Sequence, residues 1–145
     1  MKKPKVKPEI YREFVRQVEL GEIYLRKASI EVFREKVPKN FAVLNKIGDD
    51  VKLVGEESEH FQVSHRFRYK MVDENDQNVI IAKINLELLL IYSSDKPINK
   101  DIFDVFKILN VPLVSWPYAR EFIHNTLMRL GLPPVILPLY KNAAG

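Results

Sequence analysis

The chain predicts an α+β fold, a four-stranded antiparallel sheet with helices at its C-terminal end. Three observations carry this expectation. Two stretches, "HFQVSHRFRYKMV" and "VIIAKINLELLLIY", alternate apolar and polar residues over much of their length, as half-buried strands do. Helical spacing of apolar residues occurs only before the first strand pattern and after the last, which argues against alternating βαβ units. The length of 145 residues fits one domain and allows roughly 68–70% of the unfolded surface to be buried without disulfides.

Residues 1–8 read as a basic, flexible tail, and residues 9–145 as a single domain. Lys2, Lys3, Lys5 and Lys7 account for the whole net charge of +4; the rest of the chain holds 19 basic and 19 acidic residues. Such a tail favours solubility over specific phosphate binding. It lacks the apolar centre of a secretory signal. With 46% hydrophobic and 29% charged residues and no run of 18 apolar residues, no membrane span is expected. The absence of cysteine rules out a disulfide framework, and the cytoplasm follows as the default compartment.

Pro8 and Glu9 open a helix over residues 9–20, with Ile10, Tyr11, Phe14, Val15 and Val18 on one face and Gly21 as its stop. It is short enough to need a docking surface. "EIYLRKASIEVF" then reads as a strand whose alternation changes phase between Arg26 and Ala28, the mark of a bulge. Residues 35–50 read as a loop with Pro38, Asn40 and the turn signal "IGDD", followed by a short strand, "VKLVG".

In the third strand Phe61, Val63, Phe67, Tyr69 and Met71 oppose Gln62, Ser64, Arg66, Arg68 and Lys70. "DENDQN" makes the turn. The fourth strand sets Ile80, Ala82, Ile84, Leu86, Leu88, Leu90 and Tyr92 on one side. Its other side ends in Leu89 and Ile91, which call for cover.

Asn99 is the expected N-cap of "KDIFDVFKIL", with Asp101 in the first turn. Ser115 is expected to cap the next helix and Pro117 to sit in its first turn. Ala119, Phe122, Ile123, Thr126, Leu127 and Leu130 form its apolar stripe, and Gly131 ends it. The arm "LPPVILPLY" carries Pro133, Pro134 and Pro138, which favour extended backbone. Val135, Ile136, Leu137, Leu139 and Tyr140 are too apolar for water. Packing on the chain's own sheet and bordering a groove or subunit contact both remain open.

"SWPYAREFIHNTLMRLGLPPVILPLY" resembles the signature segment of the SecB export chaperones: Pro117, Tyr118, Ala119, Arg120 and Glu121 open a long helix, then come Gly131, Pro133 or Pro134, and Pro138. "IYLRKASIEVF" is similar to the family's first strand, and "VIIAKINLELLLIY" stands in the place of its fourth. The resemblance implies a SecB-like fold, with helices on one side of the sheet, assembled as a dimer of dimers. It implies a cofactor-free holdase whose apolar grooves bind unfolded or precursor polypeptides for the SecA motor. By that likeness Phe103, Phe106, Val111, Leu113, Val114, Trp116, Val135, Ile136, Leu137 and Leu139 are candidates for peptide binding. Ala119, Phe122, Ile123, Thr126 and Leu127 would serve core and subunit contacts.

Two departures from the family stand out. Its SecA-docking surface is acidic, whereas Arg66, Arg68 and Lys70 lie on the wet face here and no acidic tail follows Tyr140; this argues against SecA docking. The N-terminal helix is an addition. Relatives of the family serve single antitoxin clients, which gives the alternative reading, together with a non-enzymatic assembly protein.

Enzyme motifs are lacking. His60, His65 and His124 have no metal spacing, and there is no nucleophile elbow around Ser115 or glycine-rich phosphate loop. Glu121 and His124 read as neighbours on a solvated helix face. Nucleic-acid binding is disfavoured because Phe67 and Tyr69 point away from Arg66, Arg68 and Lys70.

Overall fold

The computed structural model describes residues 5–133 and 135–137. Helix α1 (Pro8–Gln17) precedes four 14-residue strands, β1 (Glu19–Val32), β2 (Val43–Glu56), β3 (His60–Asp73) and β4 (Ile80–Ser93). Helices α2 (Lys100–Leu109) and α3 (Val111–Arg129) follow. The strands form one antiparallel sheet in the order β1-β4-β3-β2. The α+β architecture predicted from periodicity is the one observed.

Strand β3 keeps its alternation. Phe61, Val63, Phe67, Tyr69 and Met71 are buried, and Gln62, Arg66, Arg68 and Lys70 are exposed. On β4 the first face completes the core from Ala82 to Tyr92. At its start the expectation is corrected, since Ile81 is buried in the core and Ile80 lines the open face, next to the register shift between Met71 and Val72. On the other face, Leu89 is buried between Tyr24 and Ser64 in the register, and Ile91 is half-buried.

Edge strand β1 has two register shifts, one between Leu25 and Lys27 as the phase change predicts and one between Leu20 and Glu22. The second corrects the role of Gly21. The helix ends at Gln17, and Gly21 lies inside β1, because pairing with β4 draws the chain into the ladder from Glu19.

The loop expected over 35–50 is also corrected. Strand β2 starts at Val43 and carries Gly48, Asp49 and Asp50 opposite Arg68, Phe67 and Arg66. Strand propensities span only about 1 kcal/mol, too little to break a ladder for which β3 supplies every partner.

Helix α1 docks through Phe14, which is 2% exposed. Its ring meets Phe61 of β3 at 6.2 Å and Phe106 of α2 at 5.9 Å, and Tyr92 of β4 completes the cluster at 5.0 Å from both. Such pairs contribute about 0.5–1.5 kcal/mol each beyond area burial. The Tyr11 hydroxyl donates to Asn110 Oδ1 at the α2–α3 junction. Burial pushes its pKa up to about 12, so it remains a donor at neutral pH.

Asn99 caps α2 as expected, its Oδ1 accepting from Ile102 N at 2.8 Å. Helix α3 begins four residues before Ser115, with Pro112 in its first turn. Ser115 is therefore not the cap, and Pro117 lies inside the helix. Pro112 takes the first-turn place expected of Pro117. Pro117 then removes a donor from the carbonyl of Leu113, on the exposed side where water can substitute. Gly131 ends α3 with φ +75°. Its N–H donates to Met128 O at 3.1 Å and that of Leu132 to Leu127 O at 3.2 Å, the paired bonds of a Schellman motif.

Candidate functional site

Helix α3 lies on the core face of the sheet. Val111, Pro112, Ser115, Trp116, Ala119, Ile123, Thr126 and Leu127 are buried at steps of three and four residues. Its outer side is also partly apolar, since Leu113, Tyr118 and Met128 are 71%, 52% and 56% exposed. A helix apolar on both sides is only half satisfied by its own sheet.

The arm after Gly131 runs back beside this helix. Val135 and Leu137 are buried, while Ile136 between them is 93% exposed. The arm thus packs on its own body and borders a groove as well. That groove, about 400 Å³, lies between Pro117, Arg120, Glu121 and His124 on one side and Val135, Ile136 and Leu137 on the other. No hydrogen bond or ion pair joins Glu121 to His124 among the described residues.

The candidates for peptide binding divide by burial. Phe103, Phe106, Val111, Trp116, Val135 and Leu137 are in the core, Val114 is half-buried, and Leu113 and Ile136 face solvent. Leu139, with Pro134, Pro138 and Tyr140, lies outside the described residues. Of the stripe on α3, Ala119, Ile123, Thr126 and Leu127 are buried and Phe122 is half-buried. Sequence reasoning missed Tyr118 and Met128. Their alternation with the buried set at helical spacing was the available signal.

It also missed a buried polar chain. Ser115 Oγ lies 2.5 Å from His65 Nδ1, and His65 Nε2 lies 2.7 Å from Asp49 Oδ2. These are the residue types of a nucleophilic triad, but Ser115 and His65 are 0% exposed. The Ser115 hydroxyl is also 2.9 Å from Val111 O, and the Phe67 ring stacks on the imidazole at 4.0 Å. No substrate carbonyl can reach that oxygen. These side chains instead tie α3 to β3 and β2 across the core face of the sheet. His65 has the parity of Val63 and Phe67, which puts it on the core face, where a polar group needs a partner. That parity was the unused signal.

Among the described residues, no cluster of His, Asp and Glu could hold a metal, and no helix is long and apolar enough to cross a membrane.

No protein-family model and no curated protein matches the chain. A solved structure does: the Rv1957 SecB-like chaperone of Mycobacterium tuberculosis, in complex with a ChAD peptide from the Rv1956 HigA1 antitoxin. Its TM-score is 0.76 over 88% of this chain and 93% of that one, at 16% sequence identity. The fold is SecB-like. A protein of unknown function from Streptococcus agalactiae is more distant, with a TM-score of 0.47 and 11% identity over 84% of this chain and 97% of that one. The SecB-like arrangement of sheet and helices is the frame in which the α3 surface and the arm lie.

Proposed function

We propose that the protein is a molecular chaperone of the holdase type, which binds unfolded polypeptides on the outer surface of α3 and along the arm. The observation that carries the reading is the exposure of Leu113, Tyr118, Met128 and Ile136 within a SecB-like fold. Each large apolar side chain buried by a client contributes about 1.5–3 kcal/mol. Several weak sites on one long client then act together. No cofactor and no bond chemistry are required, and the cytoplasm is the proposed compartment.

The proposal includes self-assembly, with a dimer of dimers as the expected form. Edge strand β1 supports this, because Tyr24, Leu25 and Ile30 are 43%, 43% and 45% exposed along it. Strand edges with exposed apolar side chains favour pairing with another chain. Phe103, Phe106, Val111, Val114, Trp116, Val135 and Leu137 would act as the packed backing of the client surface, with Leu113 and Ile136 in direct contact.

A second reading narrows the client to one antitoxin, favoured by the antitoxin peptide in the complex of the Mycobacterium tuberculosis chaperone. An export role through SecA is disfavoured by the basic side chains on the open sheet face.

The test is aggregation of an unfolded model polypeptide, followed by light scattering with the purified protein in equimolar amount. Suppression is expected, and its loss is expected in Leu113→Asp/Ile136→Asp with the thermal transition retained. Unchanged scattering with the natural chain would refute the holdase reading. Solution mass tests assembly, and a monomer would remove that part.

A further inference from the structure

The face of the sheet turned away from α2 and α3 holds a trough of about 870 Å³, lined by seven basic side chains and one carboxylate, Glu87. Beyond the tail the chain is charge-balanced, so the trough is a local concentration of positive charge. Strand register explains how it arises. Lys46 pairs with Lys70 and Lys70 with Lys83, which sets three lysines side by side across β2, β3 and β4. Glu31 follows at the β1 edge. Like charges directly opposite across strands are destabilising, so the uncomplexed face carries a repulsion that a bound anion would relieve.

The arginines are engaged already. Arg26 Nη1 lies 2.6 Å from Glu87 Oε1, Arg66 Nε lies 3.7 Å from Glu87 Oε2, and Arg68 Nη1 lies 2.7 Å from Asp50 Oδ1. Among the described residues no ion pair involves Lys27, Lys46, Lys70 or Lys83. Lys46 Nζ donates to Gln77 Oε1, which leaves the flexible ammonium groups of Lys27, Lys70 and Lys83 available around a fixed arginine–carboxylate floor.

We propose that this trough docks an acidic segment of a partner polypeptide. In an extended chain, alternate side chains on one side recur about every 6.6–6.8 Å, the same step as the successive rows of this face. Aspartate or glutamate at alternate positions can thus meet the lysine row and then Arg68, and pass Glu87 with an uncharged residue. Towards the other end of the strands the face becomes apolar at Tyr24, exposed beside the buried Leu89, and at the half-buried Ile91, which suits an acidic segment with apolar neighbours.

A nucleic acid fits less well. Phe67 and Tyr69, the aromatic residues lining the trough, are 1% exposed and belong to the core, so neither offers its ring for base stacking. Tyr24, 43% exposed, lies beyond the trough beside Leu89. A continuous phosphate line would also meet Glu87 and Asp50. The site lies on the opposite face from α3 and does not depend on client holding.

The experiment is fluorescence anisotropy of a labelled poly-glutamate peptide with the full chain, and with single-stranded and duplex oligonucleotides in parallel. No unfolded client is present. Poly-glutamate is expected to bind with an affinity that falls with salt. Lys70→Glu/Lys83→Glu is expected to weaken it on the order of tenfold, from two exposed ion pairs lost and reversed. Lys39→Glu/Lys100→Glu makes the same charge change elsewhere and is expected to leave binding unchanged. The tail lysines are common to all variants and cancel. Circular dichroism checks the fold, and Lys70→Gln/Lys83→Gln repeats the test without reversal. Oligonucleotide binding tighter than poly-glutamate would overturn the proposal. So would equal weakening by both charge-reversed pairs, or self-association lost in Lys70→Glu/Lys83→Glu, which would give the face to a second copy of this chain.

Discussion

Ser115→Ala removes one hydroxyl and tests whether the buried tie between sheet and helix contributes to stability. His65 Nδ1 loses the Ser115 contact at 2.5 Å, at a site with 0% exposure. Leaving a buried polar group unsatisfied costs about 1–3 kcal/mol. The cavity left is too small to add much. At this chain length the cost corresponds to a fall in Tm of roughly 3–10 °C.

His65→Leu behaves differently. Ser115 keeps its bond to Val111 O at 2.9 Å, and Asp49, with 34% of its side chain exposed, can turn to water. With both polar partners out of the core, Ser115→Ala in the His65→Leu background is expected to be nearly neutral. The cycle predicts an interaction free energy of about 1–2 kcal/mol. Urea titration of the four proteins at one fixed concentration reads it, since the proposed assembly would make apparent stability depend on concentration. Additive single effects, or a Ser115→Ala midpoint equal to that of the natural chain, would refute the tie.

Phe14→Ala is expected to cost about 3–5 kcal/mol, since its ring joins α1, α2 and β3; hydrogen exchange of α1 amides checks that the helix is released. Gly131→Ala is expected to cost about 1–2 kcal/mol, because a φ of +75° is strained for any side chain, and the new Cβ would lie 3.3 Å from Arg34 Cζ; thermal melting measures it. Glu87 is held below the usual carboxylate range, first by the Ser64 hydroxyl and then by the Arg26 guanidinium. A depressed folded-state pKa contributes stability above the unfolded value, which is lost as pH falls through the folded one. The natural chain is therefore expected to exceed Glu87→Gln near neutrality and to converge with it in acid, as read by urea midpoints across pH.

Much of this architecture is legible where local chemistry and tertiary context agree. Asn99, the β3 alternation, the bulge at Arg26 and the stop at Gly131 are each signalled within a few residues. The misread positions are those where a distant partner decides. Gly48, Asp49 and Asp50 favour a turn until β3 lies beside them, and Ser115 favours a cap until His65, fifty positions earlier, accounts for its hydroxyl. Gly21 favours a helix stop until β4 captures the chain before it. The proposed client surface was half legible. Leu113 and Ile136 are apolar where the fold leaves them outside, but nothing local separates them from buried Trp116 and Leu137. In the trough, Arg66, Arg68 and Lys70 could be assigned to a wet face from parity alone. Their alignment with Lys46 and Lys83 required the register.

The strand order also sets a timetable for synthesis. Strands β2, β3 and β4 can zip as consecutive hairpins, whereas β1 pairs with β4, the last strand to be made, with Glu19 facing Ser93. At about 5–20 residues per second, β1 leaves the ribosome roughly 3–12 s before its partner. During that interval Tyr24, Leu25 and Ile30 have no sheet to join. A newborn copy of this chain is therefore, for some seconds, the kind of sticky, unpaired polypeptide that a holdase would capture.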